Sequence, residues 1–228
     1  MAEKSIRIFP LGDSAITVEF GNTISPDLNR RAIALAEHFH NQPFPGFIEA
    51  VPAYASATVF YDVLEVRRQV QSDATAFEIV EHLIRQAIGG LSVENGSDTR
   101  LVEIPVRFDL DGEFDLASVA ERAGLTTAAL IDIFTGSTYR VYMLGFLPGF
   151  TYMGEVDERI ATPRKETPRK LVPAGSVGIA GRQTGIYSLA SPGGWQIIGR
   201  TDVALFTPNA ASPALLQAGD QVRFVIAQ

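Results

Sequence analysis

A chain of 228 residues, 46% of them hydrophobic, can bury one large core or two domains of about 100 residues each. Its net charge of −7 argues against general binding to nucleic acid or anionic membranes, which are usually met by excess Lys and Arg. Cysteine is absent, no apolar run approaches the roughly 18 residues of a membrane span, and the N-terminal MAEKSIRIFP lacks an apolar signal region, so the chain reads as cytoplasmic.

Lys4–Pro10 and Ala15–Phe20 read as short strands around the turn residues Gly12, Asp13 and Ser14. Ser25 is a suitable N-cap with Pro26 at the first helical position, and Leu28, Ala32, Leu35, Ala36 and Phe39 form the apolar stripe of a helix that should stop near Asn41. Phe47–Tyr54 and Ala57–Tyr61 make a second strand pair. A second helix begins around Asp73, buries Ala76, Val80, Leu83, Ile84, Ala87 and Ile88, and ends at Gly89 and Gly90. The order ββαββα predicts a small α/β sandwich with helices on one face of a mostly antiparallel sheet. It occupies residues 1–98, with a hinge at Asn95–Asp98, and residues 99–228 form a second domain. That domain opens with a strand, Leu101–Phe108, and two short helices, Asp115–Ala123 and Thr126–Phe134, joined at Gly124. Tyr139–Arg200 then holds ten of the twenty glycines and five of the thirteen prolines, between β-like runs at Tyr139–Leu144, Ser176–Ala180, Gly185–Leu189 and Trp195–Ile198. A final strand covers Gln221–Ile226. The pattern predicts a compact β-barrel with sharp turns, and the whole an α+β protein.

The same glycine-rich span carries eight Arg or Lys against four Asp or Glu, a local balance of +4 that leaves −11 elsewhere. A basic segment in an acidic chain suggests a small anionic ligand or an acidic partner. Within it, LGFLPGFTYMG (Leu144–Gly154) suits no regular element, because Pro148 lacks a backbone donor and three glycines weaken local structure. Phe146, Phe150 and Tyr152 could share one face of an extended loop, where they either plug the core or line a mouth. TPRK occurs twice between Thr162 and Lys170. Its arginines, Arg164 and Arg169, offer planar forks for carboxylate or phosphate, unless the segment is only a solvated loop. Trp195, the single tryptophan, is either a core anchor or a ligand platform. Gly175, Gly178 and Gly181 resemble a phosphate loop only superficially: Arg182 and Gln183 follow in place of Lys and Ser or Thr, and no helix comes next. Backbone donors beside Arg182 could still hold an anion. His38, His40 and His82 all fall on N-terminal helices, which excludes a Ser-His-Asp arrangement confined to the glycine-rich half, and no metal site is predicted.

GFLPGFTYMG (Gly145–Gly154), the two TPR segments, PAGSVGIAGRQTGIY (Pro173–Tyr187) and SPGGWQIIGRT (Ser191–Thr201) together resemble one family. Its members are allophanate hydrolase subunit 1, the B subunit of 5-oxoprolinase and the sporulation-kinase inhibitor, built on carboxyltransferase subdomains C and D. The resemblance implies a small N-terminal α/β domain, a C-terminal cyclophilin-like barrel and a heteromeric enzyme. In 5-oxoprolinase the B subunit works with a paralogous C subunit and a separate A subunit to open 5-oxoproline to glutamate with ATP hydrolysis. ATP is used by the assembled complex, with none tightly bound to this chain. Alternatives within the family are an inhibitor of a sensor histidine kinase and a carboxyltransferase component acting on urea or allophanate. The candidate substrate or interface residues are Phe146, Pro148, Phe150, Tyr152, Arg164, Arg169, Arg182, Gln183, Thr184, Trp195 and Arg200, with no catalytic group assigned. Relatives commonly carry a histidine near Phe134 and a proline at Thr151; the first substitution bears on proton transfer if that histidine takes part in it.

Overall fold

The computed structural model describes residues 6–68, 73–91, 99–108 and 114–227. The chain divides into two compact units, residues 1–97 and 98–228. The expected hinge at Asn95–Asp98 lies outside the described residues.

The first unit is a four-stranded antiparallel sheet in the order β1-β2-β4-β3, formed by β1 (Arg7–Pro10), β2 (Ala15–Glu19), β3 (Phe47–Pro52) and β4 (Ser56–Tyr61). Ile16 and Val18 on β2 and Ala57, Val59 and Tyr61 on β4 are buried. Along β2 their alternating neighbours Thr17 and Glu19 are only partly so, as the two-residue period of a strand requires. Helix α1 (Pro26–Asn41) starts and stops where the sequence places it. The Ser25 hydroxyl accepts from the Asp27 amide, and Leu35, Ala36 and Phe39 join the sheet residues in one core. Helix α3 (Ala76–Gly90) begins later than expected because Thr75 and Glu78 form a reciprocal capping box. Between β4 and α3 lies a short helix missing from the sequence reading, α2 (Val63–Arg68), whose first turn is held by the Asp62 carboxylate accepting from the Glu65 amide.

The second unit contains a seven-stranded sheet in the order β12-β9-β10-β7-β6-β13-β5. Its strands are β5 (Leu101–Val106), β6 (Thr138–Leu144), β7 (Thr151–Gly154), β9 (Ser176–Ala180), β10 (Gln183–Ile186), β12 (Gln196–Arg200) and β13 (Gln221–Ile226). The two edges meet. Arg107, just past β5, and Arg200, ending β12, exchange both backbone hydrogen bonds at 2.8 and 2.9 Å, which nearly closes the sheet into a barrel. Alternate side chains, including Ile104, Val106, Val141, Met153, Val177, Ile179, Ile186, Ile198, Val222 and Phe224, fill one core with residues of α4 (Leu116–Ala123) and α5 (Thr127–Thr135). A separate two-stranded sheet pairs β8 (Arg169–Val172) with β11 (Ser191–Gly193). The architecture is the α+β barrel expected, with local corrections: β10 is Gln183–Ile186 where Gly185–Leu189 is expected, β12 is Gln196–Arg200 where Trp195–Ile198 is expected, and β8 and β11 are additional. The end of the aromatic stretch, Thr151–Gly154, is regular strand, because Tyr152 and Met153 alternate between two apolar environments.

Candidate functional site

A second apolar cluster forms on the side of the barrel wall away from the main core. Val177 and Ile179 of β9 face the main core, so Gly178 between them and Ala180 after them face the other way. Gly178 lies opposite Gly185 on β10. Two glycines in register leave a bare patch, and Trp195 lies on it: a methyl group on Gly178 would meet Trp195 Cβ at 3.1 Å, and one on Gly185 would meet the indole edge and Phe150 at 3.2 Å. Phe150 stands edge-on to Trp195 at 5.6 Å, to Tyr187 at 5.3 Å and to Tyr152 at 4.9 Å. Trp195 and Phe150 are buried and Tyr152 is partly exposed. Phe146 completes the row from outside. Its ring meets Phe150 edge-on at 5.6 Å, yet 62% of the residue is exposed and its φ is +70°, a left-handed conformation that costs a bulky residue of order 1–2 kcal/mol. Pro148 is exposed in the same loop, and its carbonyl accepts from the Ser188 hydroxyl at 2.6 Å. The loop therefore both plugs and displays. Its aromatics line the outer wall of the barrel, not its mouth.

The basic segment is fixed to this wall by a carboxylate that the sequence reading did not single out. Asp115 Oδ1 accepts from Lys165 Nζ and from Arg169 Nη2, both at 2.8 Å, while Oδ2 accepts from the buried Ile197 amide, also at 2.8 Å. Burial opposes the charged form, but the hydrogen bonds from Arg169, Lys165 and Ile197 prevail and hold the carboxyl below its ordinary range. Arg169 also reaches the Trp195 carbonyl at 3.4 Å. Arg164 is left exposed, its guanidinium 5.9 Å from the centre of the Trp195 ring, within the range of a cation–π contact. Burial pushes the Tyr187 phenol up from its ordinary value.

The remaining sequence candidates do not join this group as one clamp. Arg182 bridges Glu155 at 2.5 Å and Glu158 at 2.7 Å, all three exposed. Gln183 is half-buried in β10, paired with Gly154 and Ala180, and the Thr184 hydroxyl is buried, donating to the Gly178 carbonyl at 2.9 Å. Arg200 sits at the closing bridge. Phe134 is fully buried, stacked on Phe224 at 4.8 Å and close to Tyr139 at 5.1 Å, so it is interior packing. Gly175–Gly181 is strand and turn, its backbone engaged in the β9 ladders, and it builds no phosphate cradle. No cluster of three or more metal-ligating side chains occurs among the described residues, and no described helix is long and apolar enough to cross a membrane.

The chain is 47% identical to the B subunit of 5-oxoprolinase from Bacillus subtilis over 222 residues, 96% of this chain and 92% of that one. Among solved structures it is 42% identical to TTHA0988 with a TM-score of 0.80; the match covers 98% of this chain but only 40% of TTHA0988. The urea carboxylase of Kluyveromyces lactis shares the fold at a TM-score of 0.76, with 18% identity over all of this chain and 23% of that one. The family model of the carboxyltransferase domain, subdomain C and D, matches residues 6–216, and the chain belongs to that family.

Proposed function

We propose that this chain is the B subunit of an ATP-dependent 5-oxoprolinase, acting in the cytoplasm with a paralogous C subunit and an A subunit to open 5-oxoproline to glutamate. The observation that carries this reading is the 47% identity to the Bacillus subtilis B subunit, spread over nearly the whole of both chains. A lactam is stable at neutral pH, so opening it requires activation of the carbonyl oxygen, for example by phosphorylation, and stabilisation of the charge that develops. This chain's contribution is the aromatic wall of a shared cleft: Phe146 and Tyr152 exclude water from one side of a small ring, and Arg164 on Trp195 provides a cation beside it. The residues of Gly175–Gly181 do not fit a nucleotide, and ATP handling is assigned to a partner. The TTHA0988 chain, of which this one matches 40%, supports a working unit larger than this chain alone.

The test is glutamate release from 5-oxoproline and ATP, with each of the three subunits omitted in turn, alongside size-exclusion chromatography of this chain with the C subunit. Turnover should require all three, and the pair should co-elute. Full activity of the other two subunits without this chain overturns the assignment, as does activity of this chain alone.

A further inference from the structure

The seam that closes the barrel carries an unmet charge. Arg107 and Arg200 exchange both backbone hydrogen bonds, which makes them a directly opposed antiparallel pair, and the side chains of such a pair leave the sheet on the same face. Two like charges so placed repel one another unless something compensates them. Arg107 has its own partner, Asp202 Oδ1 at 3.2 Å. Arg200 has none among the described residues, and its Nε is a buried donor with no acceptor. Buried cationic groups are ordinarily paired, and each exception calls for a specific explanation.

The space to resolve it is present. Both arginines line a surface cavity of about 290 Å³ with Pro105, Asp202, Val203 and Ala227. That is roughly ten times the volume share of one water, which is at about 30 Å³, so the cavity suits a molecule of a few to about ten heavy atoms. Arg107, Arg200 and Asp202 together leave one positive charge. The planar guanidinium of Arg200 offers paired donors that match two oxygens of one ligand. We propose that this cavity is a binding site for a small oxyanion, a carboxylate or a phosphate, with Arg200 as its principal ligand. The site is distinct from the aromatic wall and does not depend on the 5-oxoprolinase reading, because it is tested on the isolated chain.

The experiment follows the Arg200 Nε–H resonance, assigned by its loss in Arg200→Lys, during titration with inorganic phosphate, 5-oxoprolinate and acetate against sodium chloride at matched ionic strength. Calorimetry on the same samples gives affinity. At least one oxyanion should bind saturably, one per chain, and shift that resonance. Phosphate alone identifies a phosphate site and the carboxylates alone a carboxylate site; either result supports the proposal. Arg200→Gln should weaken binding at least tenfold and Arg200→Lys by less, while Arg223→Gln, which removes an exposed partner of Glu103, should leave it unchanged. Asp202→Asn supplies a gain-of-function arm that does not depend on Arg200 variants folding: with the competing carboxylate gone, affinity should rise severalfold. The proposal is overturned if no oxyanion produces a saturable shift up to about 50 mM, if chloride is equally effective, or if Arg200→Gln binds like the parent.

Discussion

Replacing Asp115 with Ala should destabilise the barrel unit by about 3–4 kcal/mol. The largest share comes from the Ile197 amide, which is buried and would lose its acceptor, at about 1–3 kcal/mol. Lys165 and Arg169 are about 30% exposed and can turn to water, so each adds about 1 kcal/mol at most. The assay is urea denaturation followed by the fluorescence of Trp195, the chain's single tryptophan, whose carbonyl accepts from Arg169. A midpoint about 10 °C lower is expected in a thermal scan. Asp115→Asn keeps an oxygen for the Ile197 amide and loses only the charge, so its cost should be about 1–2 kcal/mol. The pH dependence has a definite sign. The folded carboxyl lies below its ordinary value of 3.8, so its contribution is complete above that value and is lost as pH falls through the folded one. Parent stability should therefore decline below about pH 4, and the Asn variant should flatten that decline. If Asp115→Ala costs less than about 1 kcal/mol, the carboxylate is not what ties the basic segment to the barrel, and the reasoning fails.

Gly185→Ala would place a methyl group 2.6 Å from the Thr151 carbonyl, and overpacking of that kind should lower stability by about 1–3 kcal/mol in the same urea assay. Thr151→Val should do the opposite, because the Thr151 hydroxyl is buried with no partner among the described residues; a gain of about 1 kcal/mol is expected, and any loss would indicate a hidden acceptor. Phe146→Gly relieves a left-handed backbone and removes an exposed ring, so melting should change little while glutamate release by the assembled complex falls. Arg182→Gln breaks only exposed ion pairs, and its effect on stability should stay within about 1 kcal/mol.

Elements whose causes are local were legible in the sequence. Helix α1 was placed at both ends because Ser25 and Pro26 encode its start within two residues, and β9 and β13 matched because glycine or turn residues bound them. Helix α2 was missed although Asp62 and Glu65 carry a start signal, since only Val66 of its six residues is buried and no apolar stripe announces it. The pairing of β5 with β13 was not legible at all. It joins Leu101–Val106 to Gln221–Ile226 in parallel, and nothing in either segment specifies so distant a partner. Trp195 was readable as either anchor or platform, and the deciding fact, two glycines opposed across β9 and β10, depends on strand register.

Charge shows the same limit with a functional consequence. The surplus of +4 over Tyr139–Arg200 suggested several arginines acting together, but Lys165 and Arg169 are tied to Asp115, which lies outside that span, and Arg182 is tied to Glu155 and Glu158. Arg159 is paired with Asp157 two residues away, and Arg140 donates to the Gly219 carbonyl. Of the four arginines named as candidate contacts, Arg169 and Arg182 are thus engaged by carboxylates, Arg164 lies over the Trp195 ring, and the Arg200 backbone lies five residues along the chain from Trp195, roughly 15 Å at the rise of a strand. A ligand at the aromatic wall meets Arg164 and one at the seam meets Arg200 and Arg107, so the two are read as separate sites. Saturating the seam with phosphate should accordingly leave an Arg164-dependent substrate KM of the assembled complex unchanged, and a competitive rise in KM that disappears in Arg200→Gln would show that the two cations serve one ligand.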